Sequence, residues 1–201
     1  LPALSPVGLQ KELMVPEDHR SQAFSRRLTP IERLFTRSPF SIVTMVARIR
    51  GGVSERMFRD AVAKVRRRHA NLGARIVADE DGTPYLTSEG AGETPVATVL
   101  RGSDDHWIRV VQESCQFPFE FEAQPANRFI LVQGATTSDV VILCHHILCD
   151  GLSLAYLARD LLVHLGDPAR DVAPLPDPIP IDSDNVPEGV SVNPVARFVI
   201  G

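Results

Sequence analysis

The stretch that most constrains this 201-residue chain is VVILCHHILCDGLSL, Val140 to Leu154. Its unbroken apolar run, Val140 to Cys144, reads as a buried strand. The residues that follow form a helix: Leu154, Leu157, Ala158, Leu161 and Leu165 make an apolar stripe, Ser153 is placed to cap it, and Gly166 with Pro168 stops it. Two histidines, an aspartate and a glycine therefore sit in a strand-to-helix loop. Such a loop is held rigidly by its scaffold, and the helix N-terminus favours negative charge developing beside it.

The rest of the chain supplies partners for that unit. Phe40 to Arg50 is rich in β-branched residues and predicts a mostly buried strand, with Ile42, Met45, Val46 and Ile49 inward and Gly51-Gly52 at its end. A helix capped by Ser54 follows, with Met57, Phe58, Ala61, Val62 and Val65 on one face and Gly73 just past its end. ARIVADEDGTPYLTS predicts a hairpin turning at Asp81-Gly82. SDDHWIRVVQESC predicts a second helix led by Ser103 and two aspartates, with Trp107, Val110, Val111 and Cys115 sharing a face. Arg128 to Gln133 and Asp139 to Cys144 read as adjacent strands joined by a turn.

Beyond Asp167 the composition changes, with seven of the sixteen prolines between Pro168 and Pro194. This reads as an extended linker ending in the short apolar strand VARFVIG. The chain thus divides into an N-terminal extension (1–24), a globular lobe (25–166) and a proline-rich linker opening a further lobe (167–201). The absence of an initiator Met and the terminal unpaired strand lead us to expect a piece of something longer.

Composition excludes several classes of function. A net charge of −4 gives no footprint for nucleic acid. No apolar stretch approaches the roughly 20 residues of a membrane span, and LPALSPVGLQ lacks the regions of a signal peptide. Cys115, Cys144 and Cys149 are too few for a disulfide framework, which makes a cytoplasmic setting the default.

The residues of the loop alone leave three readings open. A neutral imidazole suits proton abstraction from a hydroxyl, amine or thiol near pH 7. Either histidine could instead be a packed, hydrogen-bonded core residue. Metal binding lacks a third ligand, because adjacent side chains rarely converge on one ion. Asp150 could fix the loop by pairing with a cation or accepting backbone N–H bonds, and Gly151 could permit a conformation closed to other residues. Lys64 to His69, KVRRRH, could meet the phosphates of a coenzyme A or carrier arm, but reads first as a solvated helix face. Cys149 reads as filler, and Trp107, Phe117, Phe119 and Phe121 as packing residues.

The string His145, His146, Ile147, Leu148, Cys149, Asp150, Gly151 resembles the HHxxxDG signature of the acyltransferase superfamily that includes nonribosomal peptide synthetase condensation domains. LTPIERLF, ARIRGGVSERMFRDAVAKVRRRHANLGARI and FPFEFEAQPANRFILV resemble the family's flanking segments in the family's order, across about Ser25 to Gly166. The resemblance implies an α/β (α+β sandwich) lobe of the chloramphenicol-acetyltransferase type, with a mixed β-sheet covered by helices. It implies that His146 is the catalytic base or positioning residue, with His145, Asp150 and Gly151 in support. It further implies a donor thioester on phosphopantetheine of an acyl carrier protein or on CoA, an alcohol or amine acceptor, and no permanently bound cofactor or metal.

In relatives the site lies in a tunnel between two lobes, so this chain is expected to be an incomplete enzyme needing a second lobe or a second copy. A non-catalytic module that binds carrier proteins or partner enzymes is the alternative. Two departures matter. Peptide-forming relatives follow the RH segment with Leu-Arg-Thr, whose arginine pairs with the motif aspartate; here Leu72 is followed by Gly73 and Ala74, so Arg75 or Arg128 is expected to replace it. Pro30, Ile31 and Glu32 also occupy the place of an Ala-Gln pair. Both departures resemble stand-alone O-acyltransferases of polyketide and lipid pathways, of which phthiocerol dimycocerosyl transferase is the type, and lead us to expect ester formation.

Overall fold

The computed structural model describes residues 24–176. The N-terminal extension before Phe24, most of the proline-rich linker and the strand read in VARFVIG lie outside the described residues. A four-stranded mixed sheet forms the centre, in the order β2 (Ile42–Arg50), β7 (Thr137–His145), β6 (Asn127–Gln133), β5 (Val96–Leu100). β7 pairs antiparallel with both β2 and β6, and β5 pairs parallel to β6. A smaller antiparallel sheet joins β1 (Ser25–Arg27), β4 (Pro84–Thr87) and β3 (Arg75–Ala78). The helices are α1 (Pro30–Phe35), α2 (Glu55–Arg68), α3 (His106–Cys115) and α4 (Gly151–Gly166).

The alternation of side chains along the two central strands explains their unbroken apolar sequence. Phe129, Leu131, Val140, Ile142 and Cys144 face one side, where α2 contributes Phe58, Ala61, Val62 and Val65 and α4 contributes Leu154, Leu157, Ala158, Leu161 and Leu165. Ile130, Val132, Val141 and Leu143 face the other side, against Val110, Trp107, Val111 and Cys115 of α3 and Phe119. A strand covered on both faces has no solvent side to mark with polar residues. Full burial of one such side chain stabilises the lobe by about 1.5–3 kcal/mol.

Several local expectations hold because their signals are local. The Ser54 hydroxyl accepts the Met57 N–H and caps α2, whose predicted stripe is buried apart from Met57. The hairpin closes with Gly82 at φ +76°, a conformation glycine adopts without steric cost, while the Asp79 carboxylate accepts the N–H groups of Asp81 and Thr83.

Others need correction. β2 begins at Ile42, leaves Phe40 exposed and is half-buried, because it is an edge strand paired only with β7. α3 starts at His106 with Asp105 at the N-cap position and no side-chain cap bond, and the Asp104 carboxylate pairs with Arg101. Phe117 is 65% exposed and belongs to no core. α4 begins two residues before the proposed Ser153 cap: Asp150 is the N-cap and its carboxylate accepts the Ser153 N–H at 2.8 Å. β1, β5 and α1 were not anticipated as elements. For α1 a signal existed, since Thr29 and Glu32 form a reciprocal capping box with Pro30 in the first turn.

Candidate active site

The loop from His145 to Asp150 is held by its own apolar residues, each reaching a different part of the core. Ile147 joins the cluster under the small sheet, formed by Leu28, Ala74, Ile76 and Leu86. Leu148 lies against that cluster and the α3 side of the main sheet. Cys149 enters the α2/α4 core, and the Cys144 thiol, pushed up by its hydrogen bond to Cys149 and by burial, stays protonated there. The three residues between the histidines and the aspartate thus fasten the loop to all three clusters. Cys149 is buried, consistent with its reading as filler.

The two histidines differ completely in their surroundings. His145 ends β7 with no exposed surface. Its Nε2–H donates to the Ser38 carbonyl at 2.7 Å, and its Nδ1 accepts the Ile147 N–H at 3.3 Å, which assigns a neutral tautomer with both nitrogens engaged. The edges of Phe119 and Phe121 enclose the ring, and burial pushes its pKa below the usual histidine range. His145 therefore holds structure and has no nitrogen left for substrate.

His146 is only partly buried. Its backbone N–H donates to the Ser41 carbonyl at 2.8 Å, extending the β2–β7 ladder by one residue. Its imidazole lies flat on the Phe35 ring, with centroids 4.6 Å apart and planes 6° from parallel. Neither of its ring nitrogens has a hydrogen-bond partner among the described residues. The segment from Phe35 to Ser41, which connects α1 to β2, thus grips both histidines: a carbonyl for one ring, a carbonyl for the other backbone, and an aromatic face. No sequence signal identifies this segment as the partner of the motif, because it lies about a hundred residues away.

The Asp150 carboxylate accepts a backbone N–H of the following helix, and no cation pairs with it among the described residues. The Ser153 N–H bond holds its carboxyl below the ordinary aspartate range. The expected replacement arginines are committed elsewhere: Arg75 donates to the Glu89 and Glu122 carbonyls, and Arg128 to those of Ser114, Phe117 and Pro118. Gly73, in the single turn Ala70–Gly73, is covered by the Arg66 side chain, 3.0 Å from where a Cβ would lie. The expectation for Gly151 is also corrected: it is the first residue of α4, its φ is not positive, and open space surrounds its missing Cβ.

The basic cluster is only partly a solvated face. Arg68 and His69 converge on the Asp160 carboxylate of α4 at 2.7 and 2.9 Å, and Arg159 reaches its other oxygen at 2.8 Å. Burial would raise the Asp160 pKa, but the hydrogen bonds from Arg159, Arg68 and His69 outweigh it and hold the carboxyl at about 2. Lys64 and Arg66 donate to the carbonyls of Pro168 and Gly92, leaving Arg67 exposed. A shallow cavity of about 860 Å³ lies along α2, lined by Arg59, Arg66, Arg67, Glu93 and Leu175 and not by the histidines.

The family model described as Condensation domain matches residues 23–166. Among curated proteins, the phosphinothricin tripeptide synthetase PhsC of Streptomyces viridochromogenes is 30% identical over 169 residues, covering 77% of this chain and 15% of its own length. The cyclosporin synthetase of Tolypocladium inflatum is 25% identical over 158 residues, covering 77% of this chain and 1% of its own. The condensation domain of the monacolin K polyketide synthase MokA superposes with a TM-score of 0.64 at 16% identity, covering 74% of this chain and 36% of that one. This chain therefore spans a small part of the proteins it matches. Its lobe has the chloramphenicol-acetyltransferase-like fold, and the match over most of its length shows that the chain belongs to the condensation-domain family, which forms amide or ester bonds between carrier-bound substrates.

Proposed function

We propose that residues 25–166 are the acyltransferase lobe of a condensation-type enzyme and that His146 is its base. The observation carrying this reading is the contrast within the pair: His145 has both nitrogens occupied, whereas neither ring nitrogen of the half-buried His146 is paired among the described residues. In the step we infer, the imidazole takes the proton of an alcohol or amine acceptor while the acceptor's oxygen or nitrogen bonds to the thioester carbonyl carbon. Collapse of the tetrahedral intermediate breaks the C–S bond, and the departing thiolate recovers the proton from His146. The donor is an acyl group on carrier-protein phosphopantetheine or on CoA. Gly73 and the Pro30–Glu32 opening favour an alcohol acceptor and hence an ester.

Transfer also requires two substrates held in near-attack geometry, and the loop here is one wall of such a site. A second lobe or a second copy of the chain would supply the other. The test is transfer from an acyl-pantetheine thioester to alcohol and amine acceptors by the complete protein and by His146→Ala. A fall of at least about 100-fold in the variant fits removal of a general base, and an unchanged rate sinks the assignment.

One set of observations favours a second reading, a non-catalytic module that binds carrier proteins or partner enzymes. Asp150 has no arginine partner among the described residues, and the cavity along α2 lies away from the histidines. That reading expects carrier binding without turnover, unaffected by His146→Ala.

A further inference from the structure

We propose that Phe35 is the positioning residue of His146: its ring fixes the imidazole plane and presents a π face to the imidazolium formed when that imidazole takes up a proton. The proposal rests on the reading of His146 as the base, and it extends that reading to α1, an element outside the HHxxxDG segment.

Three observations carry it. The two rings are nearly parallel at 4.6 Å, whereas both aromatic contacts of His145 are edge-on. The stack is the contact made by the His146 ring itself, since its hydrogen bond to Ser41 comes from the backbone and leaves the side-chain torsions unset. Phe35 is in turn fixed from both sides. Its ring packs against the Leu28, Ala74, Ile76, Leu86 and Ile147 cluster, and its helix is locked at the other end by Glu32. That carboxylate accepts two bonds from Arg26, at 2.8 and 2.7 Å, and the Thr29 N–H at 2.7 Å. A helix of six residues is too short to persist alone, so these bonds and the cap determine where Phe35 stands.

The physical consequence is specific. An aromatic face offset over an imidazole limits rotation of the ring and leaves its edge, which carries both nitrogens, open to a substrate. The same face attracts a cation within about 6 Å of its centroid, so proton uptake by His146 needs no rearrangement around it. Leucine can fill the volume of Phe35 but supplies neither the flat surface nor the quadrupole. Tyrosine supplies both.

The experiment uses the complete protein and three variants, Phe35→Leu, Phe35→Tyr and Glu32→Gln, alongside His146→Ala. The first readout is NMR of the His146 imidazole C–H protons, which lie in the shielding cone of Phe35. Phe35→Leu moves them downfield, Phe35→Tyr leaves them shielded, and Glu32→Gln gives an intermediate shift. The second is kcat and KM for transfer from hexanoyl-pantetheine to ethanolamine, a probe offering both a hydroxyl and an amine. Phe35→Leu lowers kcat about tenfold with KM unchanged, as expected for a misplaced catalytic group, and Phe35→Tyr restores it.

Retained shielding in Phe35→Leu overturns the stack, as does lost shielding with native kcat in either Phe35→Leu or Glu32→Gln. If Phe35→Leu fails to fold, Glu32→Gln against Phe35→Tyr decides on the same two readouts. Native kcat in His146→Ala overturns the catalytic role of His146 and with it the positioning role. A native protein that does not turn the probe over counts against the functional reading, and the shielding then decides the stack alone.

Discussion

The helix α4 carries two aspartates with opposite fates. Asp150, its N-cap, is exposed and bonds to the backbone of its own helix, and it belongs to the HHILCDG string. Asp160, in an unremarked stretch ten residues later, is 7% exposed and collects Arg68, His69 and Arg159. One carboxylate starts the helix, and the other fastens it to α2. A motif residue can therefore have a local task while a carboxylate clamped by three cations lies where no motif points.

The largest expected effect is at the buried end. Asp160→Ala leaves Arg68 and Arg159 without their counter-charge, and should cost about 3 kcal/mol in urea-induced unfolding, read as a lower midpoint at unchanged slope. A loss no greater than that of an ordinary surface substitution would remove the contrast between the two carboxylates. The acid limb sharpens the same point. The Asp160 pKa is depressed from 3.8 to about 2, so the folded state binds fewer protons than the unfolded chain in that window. The stabilisation is present above pH 3.8 and is lost as pH falls through that value towards 2, by about 1–2 kcal/mol once screening at the exposed Arg159 is allowed for. In Asp160→Asn this part of the pH dependence disappears.

Asp150→Ala comes next, with a smaller loss, because only a helix cap is removed; Asp150→Asn recovers most of it, since asparagine caps equally well. If Asp150→Asn were as damaging as alanine, the negative charge itself would matter, and a cation partner would have to be sought. The smallest effect is expected for Arg67→Ala, the exposed member of the basic cluster. Its stability should stay within about 0.5 kcal/mol of the native protein, in contrast to its neighbour Arg68.

The histidine pair was legible as a candidate site but not as two rings in different surroundings. HHILCDG identified the loop, and the resemblance chose His146 over His145. What separates them physically is the Ser38 carbonyl on one ring and the Phe35 face on the other, both from a segment with no pattern of its own. The capping box at Thr29 and Glu32 could have revealed α1 from the sequence. Nothing in it could have shown which residue of α1 meets His146. Likewise Arg75 and Arg128 were credible partners for Asp150 by charge, but carbonyl groups near them in the fold had already claimed their donors. β5 carries little periodicity because it is a short, half-exposed edge strand.

By itself the sequence determined what depends on near neighbours in the chain. It set the apolar runs of β6 and β7, the stripes of α2 and α4, the Ser54 cap, the glycine turn at Gly82 and the strand-to-helix setting of the histidines. Each of these is settled by hydrogen bonds or side-chain spacing within a few residues. Only the tertiary structure decided which imidazole is free, which carboxylate is clamped and where the arginines go. Those outcomes turn on contacts such as Ser38 to His145, 107 residues apart, and Arg68 to Asp160, 92 apart. At such separations a donor has many acceptors of equal chemistry, and the packing of helices on the sheet selects among them.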